Sequence, residues 1–491
     1  MYTEQINCTF FNLTFFDVHY LDKSLLDHNL IEKYHCLPLK KKNNKMIIAV
    51  YDLEQFHIIE NHIFHLGYIA EPIYVKKDIL YHFLKLCLLK DLRYANNSNP
   101  SQETSKSLEA VHFLERTLSD ALLKQSSDIH IEPINTIYYQ FRFRIHGKLH
   151  TYATLPFSIG QQIITRIKVI SHLNTTEQRK PQDGRVLFTL NKELEFDSRI
   201  ATLPTLYGEK IVIRILNTDI HQFSLEQLGM SDKQLQLFQK YLHHSQGMIL
   251  VTGPTGSGKT ITLYKGLDMI KNHEINISTV EDPIEIQMSG INQTQVNHSI
   301  GLDFTVLLRA LLRQDPDVIM IGEIRDEETA DIAIKASQTG HLVLSTLHTN
   351  SAIDALTRLL NMGIKPYNFK NTIHLIIAQR LCRTLCQFCK KVDHNWQAMI
   401  DKKTIEYIKK KNTNPIFYKA IGCEKCTLGF SGRIGIYEFL EVTDEVITNI
   451  IHQNYHSNHI YTIPESAIDY ALIGITSLLE ILPLLTEELT Q

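Results

Sequence analysis

One stretch of the sequence has the residue types and spacing needed to hold phosphate: an apolar run enters the glycine-rich loop G-x-x-x-x-G-K-T, and a helical pattern follows. Glycines let the backbone turn its N–H groups toward phosphate oxygens, and the N-terminus of the next helix attracts the same anion. In this pattern Lys259 reaches the β- and γ-phosphates, and the Thr260 hydroxyl ligates Mg²⁺. The sequence predicts a nucleotide-binding loop, against the alternative of a glycine-rich turn with a chance lysine. The predicted binding residues are Gly253, Pro254, Thr255, Gly256, Ser257, Gly258, Lys259 and Thr260.

Two acidic residues each follow a predicted strand. The strand Ile275–Val280 leads into a turn that contains Glu285. The strand Asp317–Ile321 leads into a turn that contains Glu323. Ligands of α/β sheets bind at the C-terminal ends of strands, so both carboxylates are expected near the phosphate loop. Hydrolysis needs one carboxylate to position water and another to hold Mg²⁺ directly or through water, and these residues suit those roles; the alternative is that they are acidic caps or turn residues.

Two histidines and several arginines could also act on a nucleotide. His341 begins a third predicted strand, which leads to His348. A histidine there could sense the γ-phosphate, or it could be a core or helix-cap residue. The strands predicted between residues 137 and 215 carry Arg142, Arg144, Arg185, Arg199 and Arg214. These are either surface charges in ion pairs or charge-neutralising fingers that reach a neighbouring subunit's nucleotide, and the sequence alone favours neither.

Four of the eight cysteines form two C-x-x-C pairs. Cys386 and Cys389 form the first pair, and Cys423 and Cys426 form the second. Each pair supplies two thiolates at the spacing that tetrahedral Zn²⁺ requires, and four thiolates complete a closed structural site. The competing interpretation is a set of redox-active dithiols. Because the chain shows no secretory signal, the pairs predict zinc rather than disulfides, and a reducing, cytosolic compartment.

Composition places the chain among ordinary globular proteins. Its 491 residues correspond to roughly three or four domains, with 44% hydrophobic and 21% charged residues. The formal net charge of -3 provides no basic surplus that would favour a nucleic-acid partner. The sequence contains no apolar run long enough to span a membrane.

The elements that must position these residues follow from local periodicity. Further predicted strands are Lys45–Tyr51, Ile137–Ile145, Lys148–Thr154, Val186–Leu190, Glu195–Thr202 and Lys210–Ile215. Predicted helices are Leu53–Leu66, Lys77–Leu89, Leu108–Leu123, Ile159–Ser171 and Ser477–Leu485. A charged turn is predicted over Glu177–Arg185, and the polar stretch Ala95–Ser107 predicts a flexible linker.

Several motifs, in this order along the chain, resemble one family, the hexameric secretion ATPases of type II secretion and type IV pilus assembly. Besides the phosphate loop and the cysteine pairs, the matching motifs are Ser127–His130, Arg179–Arg185, Leu203–Lys210, Glu281–Glu285, Arg313–Asp317, Gly340–His348 and Ala378–Leu381. The resemblance runs from about residue 108 to the end of the chain, and residues 34–90 are similar, more weakly, to the second half of the family's N-terminal docking domain. The cysteine pairs indicate an extension-type motor, because the family's retraction motors lack them.

The resemblance is closest to the pilus assembly branch. Asn276–Thr279, Leu359–Gly363 and Leu375–Gln379 look more like that branch. Phe417–Cys423 looks more like the secretion branch, so a type II secretion ATPase is the alternative.

The fold implied by this resemblance is α/β. It consists of a RecA-like P-loop NTPase core preceded by a PAS-like α/β domain, with a small tetracysteine zinc subdomain and an N-terminal α/β docking module. The implied divisions are a docking module over 1–95, a flexible linker over 96–107, the PAS-like domain over 108–225, the RecA-like core over 226–380, the tetracysteine subdomain over 381–436 and a C-terminal helical region over 437–491.

The resemblance also assigns chemistry to the residues singled out above. It implies a homohexamer that binds ATP between the 108–225 domain and the core. By motif position, Lys259 and Thr260 hold the phosphates and Mg²⁺. Glu285 is then the general base on the attacking water, and Glu323 acts on Mg²⁺ or on water.

The remaining candidates are expected to couple hydrolysis to motion. Arg185 and Arg199 are the candidate fingers, and His341 and His348 link the state of the γ-phosphate to domain rotation. The implied partners are an inner-membrane platform protein, which lifts pilin subunits, and a cytoplasmic adaptor. The motor itself is expected to be cytoplasmic and to reach the inner membrane through these partners.

Two rival functions come from other classes. A nucleic-acid translocase could be built on the same core, and its cysteine pairs would then contact nucleic acid. No stripe of basic and aromatic residues supports this alternative. A scaffold that binds ATP without turnover would not need Glu285 and Glu323. DNA-stimulated ATPase activity would favour the first rival, and a phosphate-release assay decides the second.

Overall fold

The computed structural model describes residues 35–42, 45–51, 53–65, 67–75, 80, 84, 105–190, 194–216, 228–452 and 462–486. Its contacts divide the chain into two units, Met1–Leu216 and Asn217–Gln491. Within the predicted helix Lys77–Leu89 only Leu80 and Leu84 are described, both helical and buried, and most of the predicted linker lies outside the described residues.

The N-terminal part of the first unit contains a three-stranded sheet. Its elements are β1 (Leu37–Lys42), β2 (Lys45–Val50), α1 (Leu53–His65) and β3 (Ile69–Tyr74). β2 pairs antiparallel with β1 and parallel with β3. The predicted strand Lys45–Tyr51 and helix Leu53–Leu66 are confirmed to within one residue. Residues Met46, Ile48 and Ile59 are buried between the sheet and the helix.

A six-stranded antiparallel sheet forms the rest of the first unit. Its strands are β4 (Ser126–Pro133), β5 (Tyr138–Ile145), β6 (Lys148–Pro156), β7 (Gln182–Leu190), β8 (Leu194–Thr205) and β9 (Gly208–Ile215), in the spatial order β6-β5-β4-β9-β8-β7. The helices α2 (Ser105–Leu123) and α3 (Phe157–Ile170) contribute to its core. In β5 the buried Phe141 and Phe143 alternate with Arg142 and Arg144, which lie on the opposite face.

In the first unit, two elements begin three or more residues before their predicted starts. α2 begins at Ser105, three residues before the predicted start and inside the predicted linker. β7 begins at Gln182, inside the predicted charged turn, because pairing with β8 extends along the whole of β7. Cross-strand hydrogen bonds here override a local composition typical of turns.

A seven-stranded sheet organises the second unit. Its strands are β10 (Gly247–Thr252), β11 (Ile277–Glu281), β12 (Asn292–Gln295), β13 (Val318–Ile321), β14 (Leu342–Leu347), β15 (Ile373–Leu385) and β18 (Phe430–Glu441), in the order β12-β11-β13-β14-β10-β15-β18. All neighbouring pairs are parallel except β15 with β18. The central strands are buried along their whole length, which explains their unbroken apolar sequences. The edge strand β12 was not predicted, because it is polar throughout.

Helices cover this sheet, and a short ribbon projects from it. The helices are α4 (Asp232–Leu242), α5 (Lys259–Ile270), α6 (Phe304–Leu311), α7 (Glu327–Gln338), α8 (Ala352–Asn361), α9 (Lys402–Lys411), α10 (Asp444–Ile451), α11 (Ile463–Leu472) and α12 (Leu478–Thr486). The ribbon pairs β16 (Lys391–Val392) with β17 (Tyr418–Lys419). Within the described ranges, no helix has the length and hydropathy needed to cross a bilayer.

Candidate active site and metal centre

The phosphate loop connects β10 to α5 at the C-terminal edge of the parallel strands. Gly253, Gly256 and Gly258 all have positive φ, at 147°, 81° and 88°. A Cβ added to Gly253 would lie 2.4 Å from the Gln379 carbonyl oxygen, so only glycine fits there. Gly258 is the N-cap of α5, which directs the N-terminus of that helix at the loop.

Lys259 and Ser257 give this loop the properties of an anion site. The buried Lys259 Nζ donates to the carbonyl oxygens of Gly253, at 2.8 Å, and Pro254, at 3.2 Å. Burial lowers the pKa of Lys259 to about 8, although the nearby Glu323 charge opposes this shift. The Ser257 hydroxyl is buried and has no hydrogen-bond partner among the described residues. Phosphate oxygens would satisfy this hydroxyl and offset the cost of its burial.

A small cavity of about 70 Å³ joins the loop to the first carboxylate cluster. It is lined by Thr260, Leu263, Glu281, Asp282, Pro283, Glu285, Met320, Gly322 and Thr346. The structure therefore brings Thr260 and Glu285 to the same cavity, as the sequence predicts. Hydroxyl and carboxylate oxygens are ligands that Mg²⁺ prefers, so the donor set suits this ion.

Glu281, which lines this cavity, and Tyr264, which contacts Glu281, were not predicted as site residues. Glu281 is buried, and it accepts hydrogen bonds from the hydroxyls of Tyr264 and Thr279. Burial raises the pKa of Glu281, and the neighbouring Glu285 charge raises it further. The Tyr264 hydroxyl also accepts a hydrogen bond from the Glu285 backbone N–H at 3.3 Å, and so fixes the turn that presents Glu285. The sequence signal that could have identified Glu281 is its position as the last residue of the buried strand β11.

Glu323 belongs to a second charged group at the same sheet edge. Arg325 donates a hydrogen bond to Glu323, and the His348 Nε2 atom lies 3.5 Å from Glu323 Oε2. Burial lowers the pKa of His348, as does the positive charge of Lys259, while Glu323 opposes both effects. The structure therefore brings Glu323 and His348 together, within reach of the Lys259 charge.

His341 lies elsewhere. It immediately precedes β14, and its Nδ1 atom lies 2.9 Å from the Ala336 carbonyl oxygen. The register pairs Leu342 with Gly247 and Leu347 with Thr252, so His341 is at the N-terminal edge of the sheet. At about 3.3 Å per residue, it is roughly 20 Å from the start of the phosphate loop. The structure does not bring His341 to the site within the subunit.

Arg185 and Arg199 face each other on β7 and β8 of the first unit. The Arg185 Nε atom donates to both carboxylate oxygens of Asp197, at 3.0 and 2.8 Å. This contact raises the pKa of Arg185 and holds the guanidinium in a fixed direction. Arg199 is exposed beside it.

The four paired cysteines converge at the ends of β15 and β18. All four Sγ atoms lie within 4.8 Å of one another. The Sγ atoms of Cys386 and Cys423 are 3.8 Å apart, and those of Cys389 and Cys426 are 3.7 Å apart. A tetrahedron with Zn–S bonds of about 2.3 Å has edges of about 3.8 Å, so the donor set fits zinc. A disulfide requires about 2.05 Å, and Cys382 lies outside the cluster.

We expect the purified chain to carry about one zinc ion per molecule, and Cys423→Ser to weaken zinc binding at least about 100-fold, because three thiolates cannot close the tetrahedron. Metal analysis after dialysis against a chelator measures the loss. Cys382→Ala is the matched control, since this buried cysteine is not part of the cluster. Equal zinc content in Cys423→Ser and the unaltered chain would contradict the assignment.

Comparisons with known proteins agree with this geometry. Residues 102–482 match the family described as type II/IV secretion system protein, and residues 6–85 match the MshEN domain. The type IV pilus assembly ATPase PilB of Pseudomonas aeruginosa is 44% identical over 434 residues, which are 84% of this chain and 76% of that protein. The type II secretion system protein E of Pectobacterium carotovorum subsp. carotovorum is 40% identical over 387 residues, 77% of this chain and 76% of that protein.

Two solved structures share the fold. The Legionella pneumophila ATPase DotB has a TM-score of 0.58 at 20% identity, covering 80% of this chain and 98% of that one. The pilus retraction motor PilT with bound ADP has a TM-score of 0.51 at 23% identity, covering 75% of this chain and 96% of that one. The family match covers most of the chain, and the two relatives are 44% and 40% identical to it over long stretches. This chain belongs to the type II/IV secretion system protein family.

Proposed function

We propose that this chain is a motor ATPase that hydrolyses ATP to power type IV pilus assembly. The observation that carries the proposal is the 44% identity with a type IV pilus assembly ATPase over 84% of the chain. The site supports it, because a phosphate loop and two carboxylate groups lie at one edge of a parallel sheet.

Each residue of the site has a role in the proposed reaction. The loop N–H groups, Ser257 and Lys259 hold the phosphates, and Thr260 ligates Mg²⁺, which neutralises phosphate charge when bound. Glu285 takes a proton from the attacking water. The water oxygen then bonds to the γ-phosphorus while the bond from that phosphorus to the β–γ bridging oxygen breaks, and ADP leaves. Glu323 would act on the Mg²⁺ ion or on the attacking water.

We further propose that the working form is a homohexamer with a RecA-like core and a PAS-like domain over 108–225. Arg185 and Arg199 then act as fingers toward a neighbouring subunit's nucleotide. His348 couples the presence of the γ-phosphate to Glu323, which it approaches within 3.5 Å. Any similar role of His341 requires contact with a neighbouring subunit. The tetracysteine subdomain over 381–436 binds zinc. The ion would hold the chain at the C-terminal end of β15 to the chain at the N-terminal end of β18.

The proposed site of action is the cytoplasmic side of the inner membrane. An inner-membrane platform protein receives the motion and lifts pilin subunits, and a cytoplasmic adaptor holds the N-terminal module over 1–95. The 40% identity with a type II secretion protein E supports one second candidate, in which the same motor drives secretion.

Deletion of the gene in its host separates these two candidates. We expect the deletion strain to lose surface pili, counted by electron microscopy, and to keep its secreted enzymes at normal levels. Re-expression of the unaltered chain restores the pili. Loss of secretion with pili intact would establish the second candidate instead.

A further inference from the structure

The turn that carries Glu285, residues 282–288, is held by side chains from outside it. Its hydrogen-bond partners come from the helix α5 and from the edge strand β12, which pairs with β11. Thr279 and Glu281 are two residues apart on β11, so they share one face of the sheet. Gln293 on β12 is directly opposite Thr279, so its side chain lies on that same face.

Glu281 is the buried centre of this arrangement. Its carboxylate accepts hydrogen bonds from the Tyr264 hydroxyl, from the Thr279 hydroxyl at 2.6 Å and from the Gln293 amide at 3.1 Å. A buried carboxylate is costly unless it is hydrogen-bonded, and three donors offset that cost. Burial raises the pKa of Tyr264, and the Glu281 charge raises it further, so the tyrosine keeps the proton that it donates.

Two of these donors also hold the backbone of the turn. The Tyr264 hydroxyl accepts a hydrogen bond from the Glu285 N–H at 3.3 Å. The Gln293 amide nitrogen donates to the Ile286 carbonyl oxygen at 2.9 Å. The Gln293 amide oxygen accepts from the Met288 N–H at 2.7 Å. Three backbone groups within four residues are fixed in this way, so the direction of the Glu285 side chain is set from outside the turn.

Tyr264 also connects the turn to the proposed ligand of Mg²⁺. Thr260 and Tyr264 are four residues apart in α5, so their side chains lie one turn apart on the same face of the helix. Thr260 and Glu285 line the same cavity of about 70 Å³. The hydrogen bond between this helix and the Glu285 N–H therefore sets the distance between the two sides of the cavity.

We propose that Tyr264 and Gln293 are positioning residues for ATP hydrolysis, which hold the Glu285 carboxylate at its working distance from Thr260. The inference rests on the proposed function, in which Glu285 is the base. Neither positioning side chain lines the cavity, so both act through the turn and not on the nucleotide. A displacement of about 1 Å at a catalytic group can lower a rate about 100-fold, so their loss affects turnover more than binding.

Turnover and nucleotide binding by two variants of the full chain test the proposal. Tyr264→Phe keeps the ring and removes the acceptor of the Glu285 N–H. Gln293→Glu keeps the acceptor of the Met288 N–H, removes both amide hydrogen bonds and places a second carboxylate beside Glu281. We expect each variant to lower kcat about 10–100-fold. The KM for ATP and the affinity for a fluorescent ATP analogue should change less than about twofold.

A double variant and two controls separate positioning from a general loss of stability. Because both side chains act on one turn, Tyr264→Phe combined with Gln293→Glu should lose little more kcat than the worse single variant. The first control is Tyr241→Phe, which removes another buried tyrosine hydroxyl, one that donates to Glu441 at 2.6 Å. The second control is Gln338→Glu on α7. Both controls should turn over ATP like the unaltered chain.

Hydrogen exchange measures the same contacts without turnover. In Tyr264→Phe the Glu285 N–H loses its acceptor, so the peptide that contains residues 282–288 should exchange at least about tenfold faster, and Tyr241→Phe should leave it unchanged. An active unaltered chain whose two variants keep full turnover, lose affinity in step with kcat, or show unchanged exchange would overturn this inference alone. An unaltered chain without ATPase activity would overturn the proposed function and this inference with it.

Discussion

Replacing Lys259 by alanine should lower kcat for ATP hydrolysis by about 10²–10³-fold, the effect of removing one preorganised charge from the transition state. The ammonium is already held over the loop by the carbonyls of Gly253 and Pro254, so it needs little rearrangement to meet phosphate oxygens. Phosphate release by the purified chain at saturating ATP measures the change. Lys271→Ala is the matched control, because this lysine is the C-cap of the same helix and its ammonium pairs with Asp268.

The pKa of Lys259 adds a pH test to the same substitution. Its value of about 8 lies below the usual value of 10.5, so the side chain loses its charge as the pH rises through 8. Phosphate binding above this pH must take up a proton, and nucleotide affinity should fall by up to about tenfold per pH unit. Lys259→Arg stays protonated, so its affinity should not change over the same range. A decline of equal slope in both proteins would show that another group is responsible.

Glu285→Gln should lower kcat by about 10²–10⁴-fold while ATP still binds, because an amide cannot accept the proton of the attacking water. Glu285 lines the cavity that also contains Thr260, and the Tyr264 hydroxyl holds its backbone. Glutamine preserves the size of the side chain, so the thermal unfolding midpoint should stay the same. Single-turnover phosphate release and fluorescent nucleotide binding separate the two effects.

Glu274→Gln serves as the control for this substitution, since Glu274 is exposed in the turn before β11. Its turnover should equal that of the unaltered chain. If Glu285→Gln kept full turnover and Glu323→Gln did not, the two carboxylates would exchange their proposed roles. The His348 contact would then mark the catalytic base rather than a sensor.

The sequence predicted those parts of the site that depend on local pattern. The phosphate loop, its strand and its helix have a fixed spacing, and parallel strands bring their C-terminal ends to one edge, so Glu285 and Glu323 could be placed near Lys259. The cysteines could be paired because a C-x-x-C turn brings two thiolates together by itself. Strands and helices with clear periodicity, such as Lys45–Tyr51, were placed to within one or two residues.

The sequence could not predict contacts that depend on register and tertiary packing. Tyr264 contacts Glu281 only because α5 packs against the sheet with Tyr264 beside the C-terminal end of β11. His341 and His348 are close in sequence, but the six-residue strand β14 lies between them. They are therefore at opposite edges of the sheet. Arg185 finds Asp197 through the pairing of β7 with β8.

The central claim is that ATP hydrolysis at this phosphate loop powers pilus assembly. It is tested most directly by counting surface pili in a host strain whose only copy of the gene carries Glu285→Gln. We predict a chain present at normal abundance, no surface pili and normal secretion of enzymes. Pili at normal number and length in that strain would contradict the claim.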